Sequence, residues 1–255
     1  MPKLILFDVD GTLAESGETL DDDMKALLER SHAAGFTLGI VGGGKLEKIL
    51  LQLDGIACID HYFTECGCVY HKKTGMDLSK DLVQVYRQNI RAHKLYDYIN
   101  ILIKRALYFL SQVDYTLTGN FIDLRSGIIY ISLIGMSATS NERELFFELD
   151  AKHQYRQRLL CYLENEAHKQ QIDDKITICE GGRAGIAIYP TEYDKIQVLA
   201  HLHDHNYDDI HFFGDKYLRG GNDHALMNAI DVIGHPVDSI NNTKTILAKI
   251  LEYSN

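Results

Sequence analysis

The sequence predicts an α/β protein in which a parallel-sheet core is interrupted by an inserted α+β lobe. Near-continuous apolar runs at 3–9 and 36–41 are separated by a helical pattern, as in strands buried on both faces. The same strand-and-helix alternation returns after residue 190, while the stretch between carries hairpin-like alternation instead. With 255 residues, 45% hydrophobic and 24% charged, the chain is long enough to bury two cores and falls outside the disordered, collagenous and disulfide-scaffold classes.

Residues 3–9 read as the first strand, ending in a turn at Asp10-Gly11-Thr12. A helix is expected over 21–34, where Met24, Leu27, Leu28 and His32 recur at helical spacing, acidic residues open the segment and Gly35 stops it. Residues 36–41 form a second buried strand, 42–44 a glycine loop and 46–53 a second helix, completing a right-handed parallel unit. Within the lobe, 121–125 and 128–133 alternate across Ser126-Gly127 as an antiparallel hairpin, 142–166 is mostly helical, and 175–179 with 185–189 forms another strand pair. Tyr96, Tyr98, Leu102, Leu107 and Phe109 are expected to pack inside it. Helix over 194–205, strand over 209–213, helix over 222–229, strand over 231–234 and helix over 243–253 complete the core. The boundaries expected are 1–81 and 191–255 for the core and 82–190 for the lobe.

Lys and Arg number 26 against 36 Asp and Glu, a formal charge of −10 without a segregated basic stripe, which argues against a nucleic-acid partner. The five cysteines match neither a zinc knuckle nor a redox CxxC and read as free thiols in a reducing compartment. The N-terminal apolar run stops at Asp8, and no stretch reaches the ~20 apolar residues of a membrane span. A cytoplasmic protein with no membrane partner is the expectation.

Asp8 and Asp10 fall where the first strand ends, and the two-residue period of a strand points them the same way. Ligands of open α/β sheets bind at the carboxyl ends of the strands, and paired carboxylates there call for a cation with oxygen ligands such as Mg²⁺. An Asp-x-Asp alone is equally a solvated acidic turn. Gly214-Asp215-Lys216 also follows a buried strand and precedes Gly220-Gly221-Asn222-Asp223, which brings a third carboxylate to the same edge. Lys195, entering the next helix, supplies the positive charge that phosphoryl transfer needs. The cluster His201-Leu202-His203-Asp204-His205 spreads its rings over different helix faces and reads as a polar face.

FDVDGTL, the loop VGGG, the lysine and FFGDKYLRGGNDH together resemble haloacid-dehalogenase-type phosphotransferases. Adding FIDLRSGIIYISLIG, NERELFFELD, GG and YDK in order, the chain resembles the eukaryotic-type phosphomannomutases over essentially its whole length. The resemblance implies an α/β fold with a Rossmann-like parallel-sheet core of haloacid dehalogenase type and an inserted α+β cap domain. It implies Asp8 as the nucleophile that becomes an aspartyl phosphate, Asp10 as general acid and base, and Lys195 as the charge balancing the phosphorylated aspartate. Mg²⁺ would be held by Asp8, Asp215 and the backbone carbonyl of Asp10. Gly42, Gly43 and Gly44 would bring backbone amides to the phosphoryl oxygens. Arg125 and Arg143 of the cap would grip the phosphate that is not reacting. A hexose phosphate substrate, a hexose 1,6-bisphosphate activator and a homodimer formed through the cap are also implied.

Departures from the family pattern cluster on substrate binding: Gly17 and Met136 stand for arginines, Gly44 and Gly185 for serines, Ala187 for an aspartate, and Ala229 for an acidic residue near a second cation. Charge-assisted hydrogen bonds contribute roughly 1.5 to 3 kcal/mol each, so two missing arginines weaken retention of a bisphosphate intermediate by on the order of 10² to 10⁴. Three readings follow: a mutase, a Mg²⁺-dependent sugar-phosphate phosphatase, or a non-catalytic protein on the same fold. Retention of Asp8, Asp10, Lys195 and Asp215 together argues against the last.

Overall fold

The computed structural model describes residues 3–75, 77–78, 80–202 and 207–253. In chain order the elements are β1 (Lys3–Phe7), α1 (Asp22–Ala33), β2 (Phe36–Val41), α2 (Leu46–Leu53), β3 (His61–Thr64), β4 (Val69–Lys73), β5 (Leu82–Arg87), α3 (Tyr96–Leu110), β6 (Ile122–Leu124) and β7 (Ile129–Ser132). There follow α4 (Ser140–His153), α5 (Tyr155–Lys169), β8 (Ile176–Gly181), β9 (Gly185–Pro190), β10 (Asp209–Gly214), α6 (His224–Met227), β11 (Ile233–Pro236) and α7 (Ile240–Tyr253). Two compact units result, one of Met1–Gln88 with Tyr193–Asn255, the other of Asn89–Glu192. No helix among the described residues is long and apolar enough to cross a membrane.

The first unit is built on a seven-stranded sheet of order β11-β10-β1-β2-β3-β4-β5, in which β11 through β3 run parallel and β4 and β5 antiparallel. The apolar run of β1 is explained by burial on both faces: Ile5 and Phe7 enter one core with Met24, Leu28 and Leu247, while Leu4 and Leu6 enter another with Val198, Phe212 and Leu226. Helix α1 begins at Asp21, whose carboxylate accepts the Met24 amide at 2.9 Å, with Asp22 and Asp23 in its first turn and Arg30 and His32 in its last, matching the helix dipole at both ends. β5 pairs with β4 in this sheet, so residues 82–87, expected at the start of the lobe, lie with the core strands. The helix expected over 194–205 is a 3-10 segment, Lys195–His201, with 203–206 outside the described residues. The polar face read at His201, His203 and His205 is therefore described only at His201, whose ring lies 4.5 Å from that of Tyr86. The helix expected over 222–229 is confined to α6, and Asp223, just before it, directs its carboxylate to the Lys216 amide and the Lys195 ammonium rather than capping the helix.

At the sheet edge His211 Nδ1 and His235 Nε2 stand 2.9 Å apart with stacked rings. Burial first, and then His211, pushes the His235 imidazole down to about 4. Against an unfolded value of ~6.5, its contribution to stability is full above pH ~6.5 and fades as the pH falls toward the folded value. His235→Gln is expected to remove about 1 to 2 kcal/mol of that acid-side loss, after allowance for the ring's partial exposure. Urea midpoints of wild type and variant that run parallel from pH 7.5 to 4.5 would contradict this.

The second unit carries an antiparallel sheet of order β6-β7-β9-β8, in which both expected hairpins form. Ile129, Ile131, Ile186 and Ile188 are fully buried, as are Ile99, Leu102 and Ala106 of α3 and Leu159 and Leu163 of α5. Leu102 packs as expected, whereas Tyr98 and Leu107, also expected inside, are each 42% exposed: the buried stripe of α3 runs along Ile99, Leu102, Ala106 and Leu110 at helical spacing. The segment expected as mostly helical over 142–166 is two helices, divided at Gln154 in the left-handed conformation.

Candidate active site

Strand β1 lies between β10 and β2, where the connections reverse direction across the sheet, so the loops leaving its carboxyl end flank a crevice. The Asp8 amide donates to the Phe213 carbonyl at 2.9 Å, tying the end of β1 to β10. Two glycines allow the carboxylates their close approach. A Cβ at Gly214 would fall 2.6 Å from the Asp223 carboxyl carbon, and one at Gly11, whose φ is +86°, would fall 2.6 Å from Asp215 Oδ2.

Lys195 is completely buried and donates to Asp8 Oδ1 and Asp223 Oδ1 at 2.6 Å each. Burial works against its charge, but Asp223 and Asp8 outweigh it and hold the ammonium above its ordinary value. Burial is also the main influence on Asp8, raised to about 7 against the pull of Lys195. Asp215 is likewise raised, mainly by burial. Carboxylate oxygens of Asp8, Asp215 and Asp223 lie within 4.8 Å of one another. Three carboxylates face one ammonium there, an excess of negative charge that a divalent cation would offset.

The donor set fits a hard cation such as Mg²⁺, and the satisfied and unsatisfied oxygens divide the roles. Asp223 already accepts from Lys195 and from the Lys216 amide, so it serves as counter-ion to the lysine. Asp215 Oδ1 is buried without a hydrogen-bond partner among the described residues, as are Thr12 Oγ1 and Asn222 Oδ1. Such orphaned oxygens mark a place where a ligand belongs.

Asp10 does not join this carboxylate cluster, contrary to the expectation that Asp8 and Asp10 converge. β1 ends at Phe7, so the two-residue alternation no longer governs side-chain direction at residue 10. Its carboxylate accepts from Lys48 Nζ at 2.5 Å and Gln52 Nε2 at 2.8 Å. Burial pushes Asp10 up, but the Lys48 and Gln52 contacts prevail and hold it below the usual carboxylate range. Lys48→Met is expected to lower turnover about tenfold by releasing Asp10, through loss of one charge-assisted hydrogen bond. Lys48 is 43% exposed at its side chain, so melting should barely change. Unchanged turnover would remove Lys48 from the site.

Lys48, Gln52 and Asp223 are the residues that sequence reasoning did not assign here. The first two sit four apart on α2, hence on one face, directly after the glycine loop, which is the signal that was there to be used. Gly42 donates to the Phe63 carbonyl at 3.0 Å and accepts the Cys66 amide at 2.9 Å, and Gly44 accepts the Glu65 amide at 3.0 Å. A Cβ at Gly43 would reach within 3.9 Å of Asn222 Nδ2, which places this loop beside the 220–223 segment.

In the second unit, Arg125 follows β6 and donates to Asp123 at 2.8 Å, and Arg143 in the first turn of α4 donates to the carbonyls of Met136 at 2.9 Å and Ala138 at 3.1 Å. Gly185 and Ala187 lie on β9. Gly17, in the first unit, takes a φ of +88°, and none of the described residues comes within 4 Å of where its Cβ would be.

Fold and acidic edge together define a protein of the haloacid dehalogenase fold. Structures similar to it include that of IMP-bound Plasmodium falciparum IMP-nucleotidase, with a TM-score of 0.67 at 15% identity over 98% of this chain and 68% of that one. The family model described as eukaryotic phosphomannomutase matches residues 24–253. Relatives include the phosphomannomutase of Drosophila melanogaster, 33% identical over 98% of this chain and 95% of that protein, and that of Saccharomyces cerevisiae, 32% identical over 97% and 93%. The chain belongs to the eukaryotic phosphomannomutase family.

Proposed function

We propose that the protein interconverts mannose 1-phosphate and mannose 6-phosphate through an aspartyl phosphate and a hexose bisphosphate. The observation that carries this reading is Lys195, buried between Asp8 and Asp223 with Asp215 at the same edge, in a chain matching that family over nearly its full length. With Asp8 phosphorylated by the bisphosphate activator, the Asp10 carboxylate takes the proton of the free hydroxyl of the hexose monophosphate, whose oxygen attacks the phosphorus; the bond from phosphorus to Asp8 breaks, which forms the bisphosphate and regenerates the carboxylate. In the return step an oxygen of Asp8 attacks the other phosphorus of the bisphosphate, the bond from that phosphorus to the sugar oxygen breaks, and Asp10 gives the leaving oxygen the proton it had taken, so Asp8 is again phosphorylated. Lys195 favours the charged form of Asp8 against its burial and balances the transferred phosphoryl group.

Asp8, Asp215 and the Asp10 backbone carbonyl would hold Mg²⁺, which supplies charge neutralisation at the phosphoryl oxygens. Gly43 and Gly44 bring the loop backbone to the substrate, and the unit Asn89–Glu192, as the cap, supplies Arg125 and Arg143 to the non-reacting phosphate. A hexose 1,6-bisphosphate as activator, a homodimer formed through the cap and a cytoplasmic location complete the proposal.

Phosphorus NMR with Mg²⁺, mannose 1-phosphate and a trace of glucose 1,6-bisphosphate tests it. Mannose 6-phosphate is the expected product. Inorganic phosphate alone would identify a phosphatase, the outcome that Met136, Gly185 and Ala187 favour by removing contacts to the intermediate.

A further inference from the structure

Strand register places Asp123, Tyr130, Ala187 and Cys179 opposite one another across β6, β7, β9 and β8, so the four share one face of the second unit's sheet. The alternate residues Ile129, Ile131, Ile186 and Ile188 are buried on the other face. Tyr130 lies over a floor of glycines. A Cβ at Gly185 would fall 2.4 Å from both its Cζ and its hydroxyl oxygen, and one at Gly181 would fall 2.8 Å from its Cε2. Tyrosine at 130 and glycine at 185 are thus a single arrangement, because any side chain at 185 collides with the phenol.

Positive charge stands over the ring. The Arg125 guanidinium stands 5.1 Å from the ring centroid. Burial raises the phenol's pKa, while Arg125, Arg143 and Arg156, in that order, draw it down. The phenol stays protonated, and its hydroxyl has no hydrogen-bond partner among the described residues. Arg125 donates to Asp123 and Arg143 to the Met136 and Ala138 carbonyls, and a guanidinium, being a donor only, cannot accept the hydroxyl proton. An anion rich in acceptor oxygens suits a face where a phenol donor and guanidinium charge stand together.

We infer that the Tyr130 hydroxyl is a phosphate-binding donor that completes, with Arg125 and Arg143, a subsite for the phosphate monoester of a sugar phosphate. The inference rests on the reading that this unit holds the substrate's non-reacting phosphate, and it adds a donor that the family resemblance does not assign. It accounts for two departures together. The phenol supplies a donor that Met136 lacks, and it occupies the space that a side chain at 185 would need. The glycine floor and Arg125 hold the ring in place, so little side-chain freedom is lost when the ligand arrives.

Calorimetric titration of mannose 1-phosphate into the full chain in EDTA, where transfer does not proceed, tests the inference on wild type, Tyr130→Phe and Arg125→Ala. Tyr130→Phe is expected to weaken binding roughly tenfold, the lower end for a hydrogen bond to a charged group, with an unchanged melting temperature. Gly185→Ala, which displaces the phenol, is expected to weaken binding comparably. Wild-type affinity in Tyr130→Phe with weakened binding in Arg125→Ala would overturn the role of the phenol and leave the functional reading standing. Wild-type affinity in both would overturn the reading of this unit as the phosphate holder. Weakened binding in Tyr130→Phe accompanied by a lowered melting temperature would assign the hydroxyl to structure and overturn the inference.

Discussion

Asp8→Asn is expected to reduce turnover by a factor on the order of 10⁴ or more, as when a covalent nucleophile is removed from a site whose parts act as a unit. The amide has nearly the volume of the carboxylate but no anionic oxygen to attack phosphorus, so the acyl phosphate cannot form. The fold should survive, because Lys195 keeps its 2.6 Å contact to Asp223 and the Asp8 backbone keeps its bond to Phe213. The variant should therefore bind mannose 1-phosphate while producing neither mannose 6-phosphate nor inorganic phosphate in the NMR assay. Retention of a tenth of wild-type turnover would remove Asp8 from its proposed role, and with it both the mutase and the phosphatase readings.

Lys195→Met should cost about 3 to 5 kcal/mol of stability, the range for removing one partner of a buried ion pair. Asp8 is 6% exposed and Asp223 not at all, so water cannot replace the lost ammonium. Two buried carboxylates would then face each other and Asp215 without a cation. Urea unfolding measures the loss, and Mg²⁺ should restore part of it in proportion to its binding. Adding Asp223→Asn to the variant should recover stability, since the second substitution removes one uncompensated charge. A urea midpoint for Lys195→Met equal to wild type would mean that the site tolerates three close carboxylates unaided, contrary to the electrostatics argued above. The two variants separate: the first abolishes chemistry and preserves the fold, the second undermines both.

Elements with strong periodicity were legible one by one. Strand β2 and helix α2 fall on the expected residues, because an apolar run bounded by Gly35 and residues 42–44 and an amphipathic eight-residue segment leave little choice. Strands β3, β4 and β5 carried no expectation. Their sequences HYFT, VYHKK and LVQVYR are short, and β4 and β5 run antiparallel at the sheet edge, where Val83 and Val85 are half exposed and alternation is blurred. The 3-10 segment after Asp194 departs from the expected helix in a stretch where Lys195 is fully buried against two carboxylates from distant parts of the chain. That pairing spans 187 residues on one side, beyond the reach of any local pattern.

The residues of the candidate site were legible as chemistry because phosphoryl transfer needs a narrow set of groups, and Asp8, Asp10, Lys195 and Asp215 stand in motifs that supply them. The sequence by itself determined the alternation of strands and helices, the inserted lobe and the order of the acidic motifs, since these depend on period, turn residues and local caps. Tertiary structure alone decided which carboxylates meet. It turned Asp10 away from Asp8 onto Lys48 and Gln52, paired Lys195 with Asp223, and seated Tyr130 on Gly185. Those outcomes depend on distances across the sheet, and an electrostatic or steric contact is set by separation in space rather than along the chain.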